Sequence, residues 1–117
     1  MGSLLQGRCK CGYEAGPIQG GGGKATYKYF CGAPALCPQC KKLVTVNYLE
    51  DTLECPSCNG PVTVYDDPSL QDPDITPSGT VFSWNMTEKT LVLPMTKYRC
   101  PQCGQFGLEF EEIGFFD

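Results

Sequence analysis

Eight of the nine cysteines in this chain stand in four close pairs: Cys9-Lys-Cys11, Cys37-Pro-Gln-Cys40, Cys55-Pro-Ser-Cys58 and Cys100-Pro-Gln-Cys103. A turn that sets two thiolates side by side supplies half of a tetrahedral zinc site, so four such turns make two complete sites. The flanks suit that chemistry. Proline stiffens the backbone inside three of the turns, and a residue able to take a positive φ is useful just after the second sulfur. Gly12 and Gly104 meet that need, Asn59 tolerates it, and Lys41 departs from the pattern. The ninth cysteine, Cys31, lies between Phe30 and the apolar run that begins at Ala33, a setting that favours a protonated, buried thiol over a ligand or a reactive group.

In these turns and their flanks the chain resembles zinc-ribbon proteins, in which paired-cysteine turns, called knuckles, sit at the ends of short antiparallel strands. The clearest match is Cys37, Cys40, Cys55 and Cys58, with Leu43–Leu49 read as one strand and Thr52–Glu54 as its return. Glu50-Asp51 is a poor hairpin turn, so metal must help to fix that link. The outer ligands Cys9, Cys11, Cys100 and Cys103 would then close a second site around the first. That makes residues 37–66 an inner ribbon inserted in an outer module of 1–36 together with 67–117. Sequential or cross-braced pairing would use the same eight ligands. The outer turns also resemble rubredoxin, an iron electron carrier, through Cys11-Gly12-Tyr13 and Cys100-Pro-Gln-Cys103-Gly104. The resemblance implies Fe at the Cys9/Cys11/Cys100/Cys103 site as the alternative to two Zn2+. Two departures stand against it: the first turn is one residue short, and 88 residues separate Cys11 from Cys100.

The elements that must position these sulfurs are short. Ten prolines and fourteen glycines in 117 residues leave little room for helices, so the expected class is mostly β, small and metal-stabilised. Strands are expected over Lys24–Tyr29, Val62–Tyr65, Thr80–Trp84, Thr90–Leu93 and Leu108–Ile113, the third and fifth from their alternation. Phe82 and Trp84 share one face, as do Leu108 and Phe110; Phe115 and Phe116 are expected to cap the core they form. Gly20–Gly23 lacks the lysine and hydroxyl of a phosphate-binding loop and reads as a loop tip. Asp66–Asp74 is an acidic, proline-broken connector without the oxygen-ligand spacing of a calcium site.

Several functions are disfavoured by what the sequence contains. There is no histidine to serve as a base near neutrality, and two sites of four sulfurs leave no open coordination position, so the chain is not expected to be an enzyme. Nine basic against thirteen acidic residues give −4; eight thiolates add eight negative charges and two divalent cations return four, leaving −8 when loaded. Nucleic acid is thus a disfavoured partner, and an unidentified protein the expected one. Arg8, Lys10, Lys41, Lys42, Lys97 and Arg99 lie within three positions of a cysteine turn, where they could offset the charge of the sulfur clusters. The N-terminal residues lack the pattern of a signal peptide, and no apolar run is long enough to span a membrane, so a cytoplasmic location is expected and a disulfide framework is not. A thioredoxin-like redox pair would need a βαβ setting that the sequence lacks.

Overall fold

Alternating side chains build this chain into three antiparallel sheets, and the computed structural model describes residues 2–25, 27–85 and 90–116. The first sheet has four strands in the order β2 (Glu14–Gly20), β1 (Gly2–Cys9), β9 (Phe106–Phe116) and β8 (Tyr98–Arg99). The second has three, β4 (Lys42–Asn47), β3 (Gly32–Cys37) and β5 (Thr63–Val64). The third pairs β6 (Thr80–Trp84) with β7 (Leu91–Pro94). A 3-10 turn, Pro68–Leu70, is capped by the Asp67 side chain, which accepts from the Ser69 N–H. The class is mostly β, small, with several antiparallel sheets, as composition requires.

The alternating segments of the last third form strands as expected. Phe82, Trp84, Leu108 and Phe110 are all buried, and the buried residues of the three sheets join one hydrophobic cluster. At its centre Tyr65, Tyr98 and Phe110 meet edge to face, with centroids 5.8, 5.3 and 4.9 Å apart. Such a triad adds to the burial of three large rings a quadrupole attraction that fixes their angles.

Three expectations need correction, and the N-terminal strand was not anticipated at all. The segment Lys24–Tyr29 forms turns in place of a strand, with the Tyr27 N–H donating to the Gly23 carbonyl at 2.9 Å; Thr26, like Met1, residues 86–89 and Asp117, lies outside the described residues. Thr52–Glu54 is not the partner of the 43–49 strand. That place is taken by β3, in continuous register from Gly32 opposite Asn47 to Cys37 opposite Lys42, which makes the Cys37–Cys40 turn the tip of a hairpin. Phe115 does not cap the core: β9 continues through it to Phe116, and its ring is 62% exposed. Finally, the N-terminus is a strand, β1, hydrogen-bonded on both sides, to β2 and to β9. Its core face carries Ser3, Leu5 and Gly7, and a Cβ on Gly7 would lie 3.4 Å from the side chains of Leu108 and Phe110. The strand is thin where the opposing rings are thick.

β3 contains a proline in the middle of its sheet, which removes one ladder donor. Pro34 stands opposite Thr45, and on its other side the Tyr65 N–H donates to the Pro34 carbonyl at 3.0 Å. The Tyr65 carbonyl, for which Pro34 has no N–H, accepts from Gln71 Nε2 at 3.1 Å. A side-chain amide therefore completes the sheet. Gln71→Ala should leave that carbonyl unpaired and lower unfolding stability by about 1–3 kcal/mol in denaturant titration; a change near zero would show that Gln71 does not hold this strand.

Candidate metal centres

The outer cluster follows from strand order. β1 and β8 flank β9 and both run antiparallel to it, so they are parallel to each other and end at the same level, with Cys9 and Tyr98 both opposite Leu108. Beyond β1 the chain turns at Cys9–Tyr13, where the Gly12 N–H donates to the Cys9 carbonyl at 3.0 Å and the Cys9 N–H to the Tyr13 carbonyl at 2.9 Å. Beyond β8 it turns at Cys100–Gln105, with the Gly104 N–H on the Cys100 carbonyl at 2.9 Å. Two turns leaving the same sheet end bring Cys9, Cys11, Cys100 and Cys103 together.

The inner cluster joins the tip of the β3–β4 hairpin, carrying Cys37 and Cys40, to a second turn at Cys55–Cys58. That second turn is closed by the Asn59 N–H on the Cys55 carbonyl at 2.8 Å and by the Cys55 N–H on the Gly60 carbonyl at 2.9 Å. All four knuckles put the residue after the second sulfur in the left-handed region: Gly12 at φ 101, Gly104 at 76, Asn59 at 59 and Lys41 at 53. Lys41 pays for this conformation about 1–2 kcal/mol that glycine would not. The local turn chemistry is therefore the same in the one position where the sequence departs from it.

The sulfur spacing tests whether these groups fit an ion. Cys9 and Cys103 are 3.8 Å apart, Cys11 and Cys100 3.7 Å, Cys37 and Cys58 3.6 Å, and Cys40 and Cys55 3.8 Å. Within each group all ligand atoms lie within 4.8 Å of one another. A tetrahedron with metal–sulfur bonds of about 2.3 Å has edges of about 3.8 Å. A disulfide would need about 2.05 Å. Both groups thus have the shape of a four-thiolate metal site, and the two sets of cysteines are the nested ones.

Backbone donors converge on the sulfurs. The N–H groups of Cys40, Ser57 and Gly60 reach the sulfurs of Cys37, Cys55 and Cys58 at 3.3, 3.4 and 3.4 Å. Burial works against ionisation of Cys55, but the N–H groups of Cys58 and Ser57 outweigh it and bring the thiol down to about 6. Its neighbour Cys40 is pushed up to about 12, first by hydrogen bonding with the Cys58 sulfur and then by burial. In the outer group burial drives Cys9 up to about 12, while the backbone N–H of Tyr13 lowers Cys11. In each group, one thiol is thus shifted toward ionisation and another away from it.

The arginines expected to neutralise the clusters are engaged elsewhere. Arg8 pairs with Glu14 at 3.2 Å and Glu111 at 3.5 Å, and Arg99 donates to the Gly104 carbonyl at 2.9 Å with its guanidinium 4.8 Å above the Phe106 ring. The donors that reach the inner sulfurs are backbone N–H groups. Tyr13 has a role that sequence reasoning missed: its hydroxyl accepts from the Leu43 N–H at 2.9 Å, tying the outer knuckle to β4. Cys31 stands outside both groups. It is buried, accepts from Trp84 Nε1 at 3.1 Å and donates to the Tyr27 carbonyl at 3.1 Å, and burial raises its pKa.

Fold and site together define a small, mostly β protein with two four-cysteine clusters that could hold metal ions. No protein family, curated protein or solved structure matches the chain. Among the described residues no helix is long and apolar enough to cross a membrane.

Two predictions follow from the geometry. A cation held by thiolates competes with protons for the same sulfurs, so bound metal should be lost as pH falls and retained as it rises. Titration with a chromophoric metal indicator should show release that is steeper than one proton per ion; release with the slope of a single proton would contradict four-thiolate binding. The clusters also differ in access: Cys11 and Cys103 are exposed, whereas Cys37 and Cys55 are fully buried. Mass-mapped maleimide labelling should therefore modify Cys11 and Cys103 several-fold faster than any cysteine of the inner group, and equal rates would refute this difference.

Proposed function

We propose that the chain is a non-catalytic zinc protein with two structural Zn2+ ions, built in the manner of zinc ribbons, that presents its surface to a protein partner in the cytoplasm. The observation that carries this reading is the pair of four-sulfur groups, each with two sulfur–sulfur distances of 3.6 to 3.8 Å and all ligand atoms within 4.8 Å of one another. Four thiolates fill the coordination sphere of zinc, leaving no position for water or substrate. Each ion would fasten elements that few side chains hold: the ends of β1 and β8 across β9, and the β3–β4 hairpin to the turn after Glu54. The absence of histidine and the net charge of −4 support the same reading against catalysis and against nucleic acid.

Native mass spectrometry on protein purified without added metal should give two zinc ions per colourless chain. A chelator should then abolish the cooperative thermal transition, because binding of structural zinc is coupled to folding. An unchanged transition after both ions are removed would refute the structural role. A second reading has its own support: Cys11 and Cys103 lie at the surface, where an outer iron could exchange electrons with a partner. Thiolate-to-iron absorption bands from the purified protein would select it.

A further inference from the structure

We infer that the gap between β4 and the Leu53–Cys55 segment is a slot for a short extended peptide of a partner protein that carries a cationic side chain. The inference deepens the reading above, since an ion in the inner cluster would hold one wall of the slot. β4 is an edge strand among the described residues, with β3 on its only paired side. Its hydrogen-bond phase is fixed at both ends. The Leu43 N–H points away from β3 to the Tyr13 hydroxyl, and the Tyr48 N–H points toward β3, to the Cys31 carbonyl at 2.7 Å. In an antiparallel pair these directions alternate, so Leu43, Thr45 and Asn47 present their N–H and C=O groups on the outer edge. Leu43 is engaged there by Tyr13, and the Asn47 carbonyl by the Glu50 N–H at 3.2 Å. Thr45 lies between them.

The opposite wall has the matching phase. Glu54 stands opposite Pro61, and the Cys55 N–H donates to the Gly60 carbonyl. That bond makes Glu54 and Pro61 a non-hydrogen-bonded pair, which turns the Glu54 N–H and C=O away from Pro61. Thr45 and Glu54 both line a cavity of about 330 Å3. A cavity of this size is at the small end of ligand sites. Phe30, Val46, Leu53 and Pro56 supply apolar walls; Glu54 supplies a carboxylate, and no lysine or arginine lines it. Open backbone groups on a strand edge, alternating apolar contacts and anionic charge are what an added basic strand recognises.

The test uses the 15N-labelled 117-residue chain purified without added metal or chelator, and two end-blocked hexapeptides, Thr-Lys-Val-Lys-Val-Thr and its counterpart with glutamate in place of lysine. The lysine peptide should shift the amide resonances of Thr45 and Glu54 and slow hydrogen exchange at Thr45. Thr45→Pro removes an N–H that the β3 pairing does not use, and should weaken binding about tenfold, the loss of one good hydrogen bond. Glu54→Lys, which leaves the edge intact, should reverse the preference to the glutamate peptide. No shift at about 1 mM peptide, equal binding of both peptides, or shifts that appear on self-association without peptide would each overturn the slot. Metal is counted on the same sample. Two ions with no peptide shift overturn the slot alone; peptide shifts at Thr45 and Glu54 in a sample holding no metal uphold it and refute the metal reading.

Discussion

Four thiol sulfurs gathered within 4.8 Å of one another, two pairs of them at 3.6 to 3.8 Å, form a group whose burial and mutual hydrogen bonding oppose ionising all four together. The conflict is visible in the inner group, where backbone N–H groups bring Cys55 down to about 6 against its burial while the Cys58 sulfur and burial push Cys40 up to about 12. A tetrahedral cation would remove the conflict by turning like-charge repulsion into shared attraction. Backbone N–H groups point at the sulfurs of the inner group, and the turns that carry the clusters are closed by backbone bonds such as those from Gly12, Asn59 and Gly104.

The core is unevenly composed. Its rings, Tyr65, Tyr98, Phe110, Phe82 and Trp84, are large, but they pack against strands whose inward positions are glycine, serine and alanine. Gly7 lies under Leu108 and Phe110, and Gly20 under Phe82 and Leu5. This arrangement fills space well and buries little apolar area per strand residue, so β1 and β3 gain less from burial than strands of valine or isoleucine would. The two clusters act at the ends of those same strands. Polar ties continue the pattern inward: the Tyr65 hydroxyl donates to the Arg99 carbonyl at 2.8 Å beside Cys100, and Tyr13 links the outer knuckle to β4.

Spacing made the sulfur chemistry legible, and the nested grouping followed from it once the ribbon between Cys37 and Cys58 was seen. The strands of the last third were legible because their inward residues are bulky: Phe82, Trp84, Leu108 and Phe110 announce a period of two. β1, β2 and β3 were not, for the reason just given. A strand whose core face reads Ser3, Leu5, Gly7, or Ala33, Ala35, shows no apolar alternation, although both are buried. Proline at positions 17 and 34 further disguised β2 and β3, and only the structure shows Gln71 replacing the missing ladder donor. Thr52–Glu54 was misread because nearness in sequence suggested a hairpin, whereas β3 reaches the same edge with six paired residues in register. Phe115 illustrates the converse error, an aromatic residue that projects from a long strand into solvent.

The two clusters are alike in geometry and unlike in setting, one with two sulfurs at the surface and the other with two fully buried. What they share is the claim on which the account rests, that each is a four-sulfur coordination sphere. X-ray absorption at the zinc edge of the purified protein tests it most directly. The account predicts four sulfur neighbours at about 2.3 Å for every ion, with no nitrogen or oxygen in the first shell. Oxygen or nitrogen neighbours, or a protein without zinc whose cysteines are joined in disulfides, would contradict it.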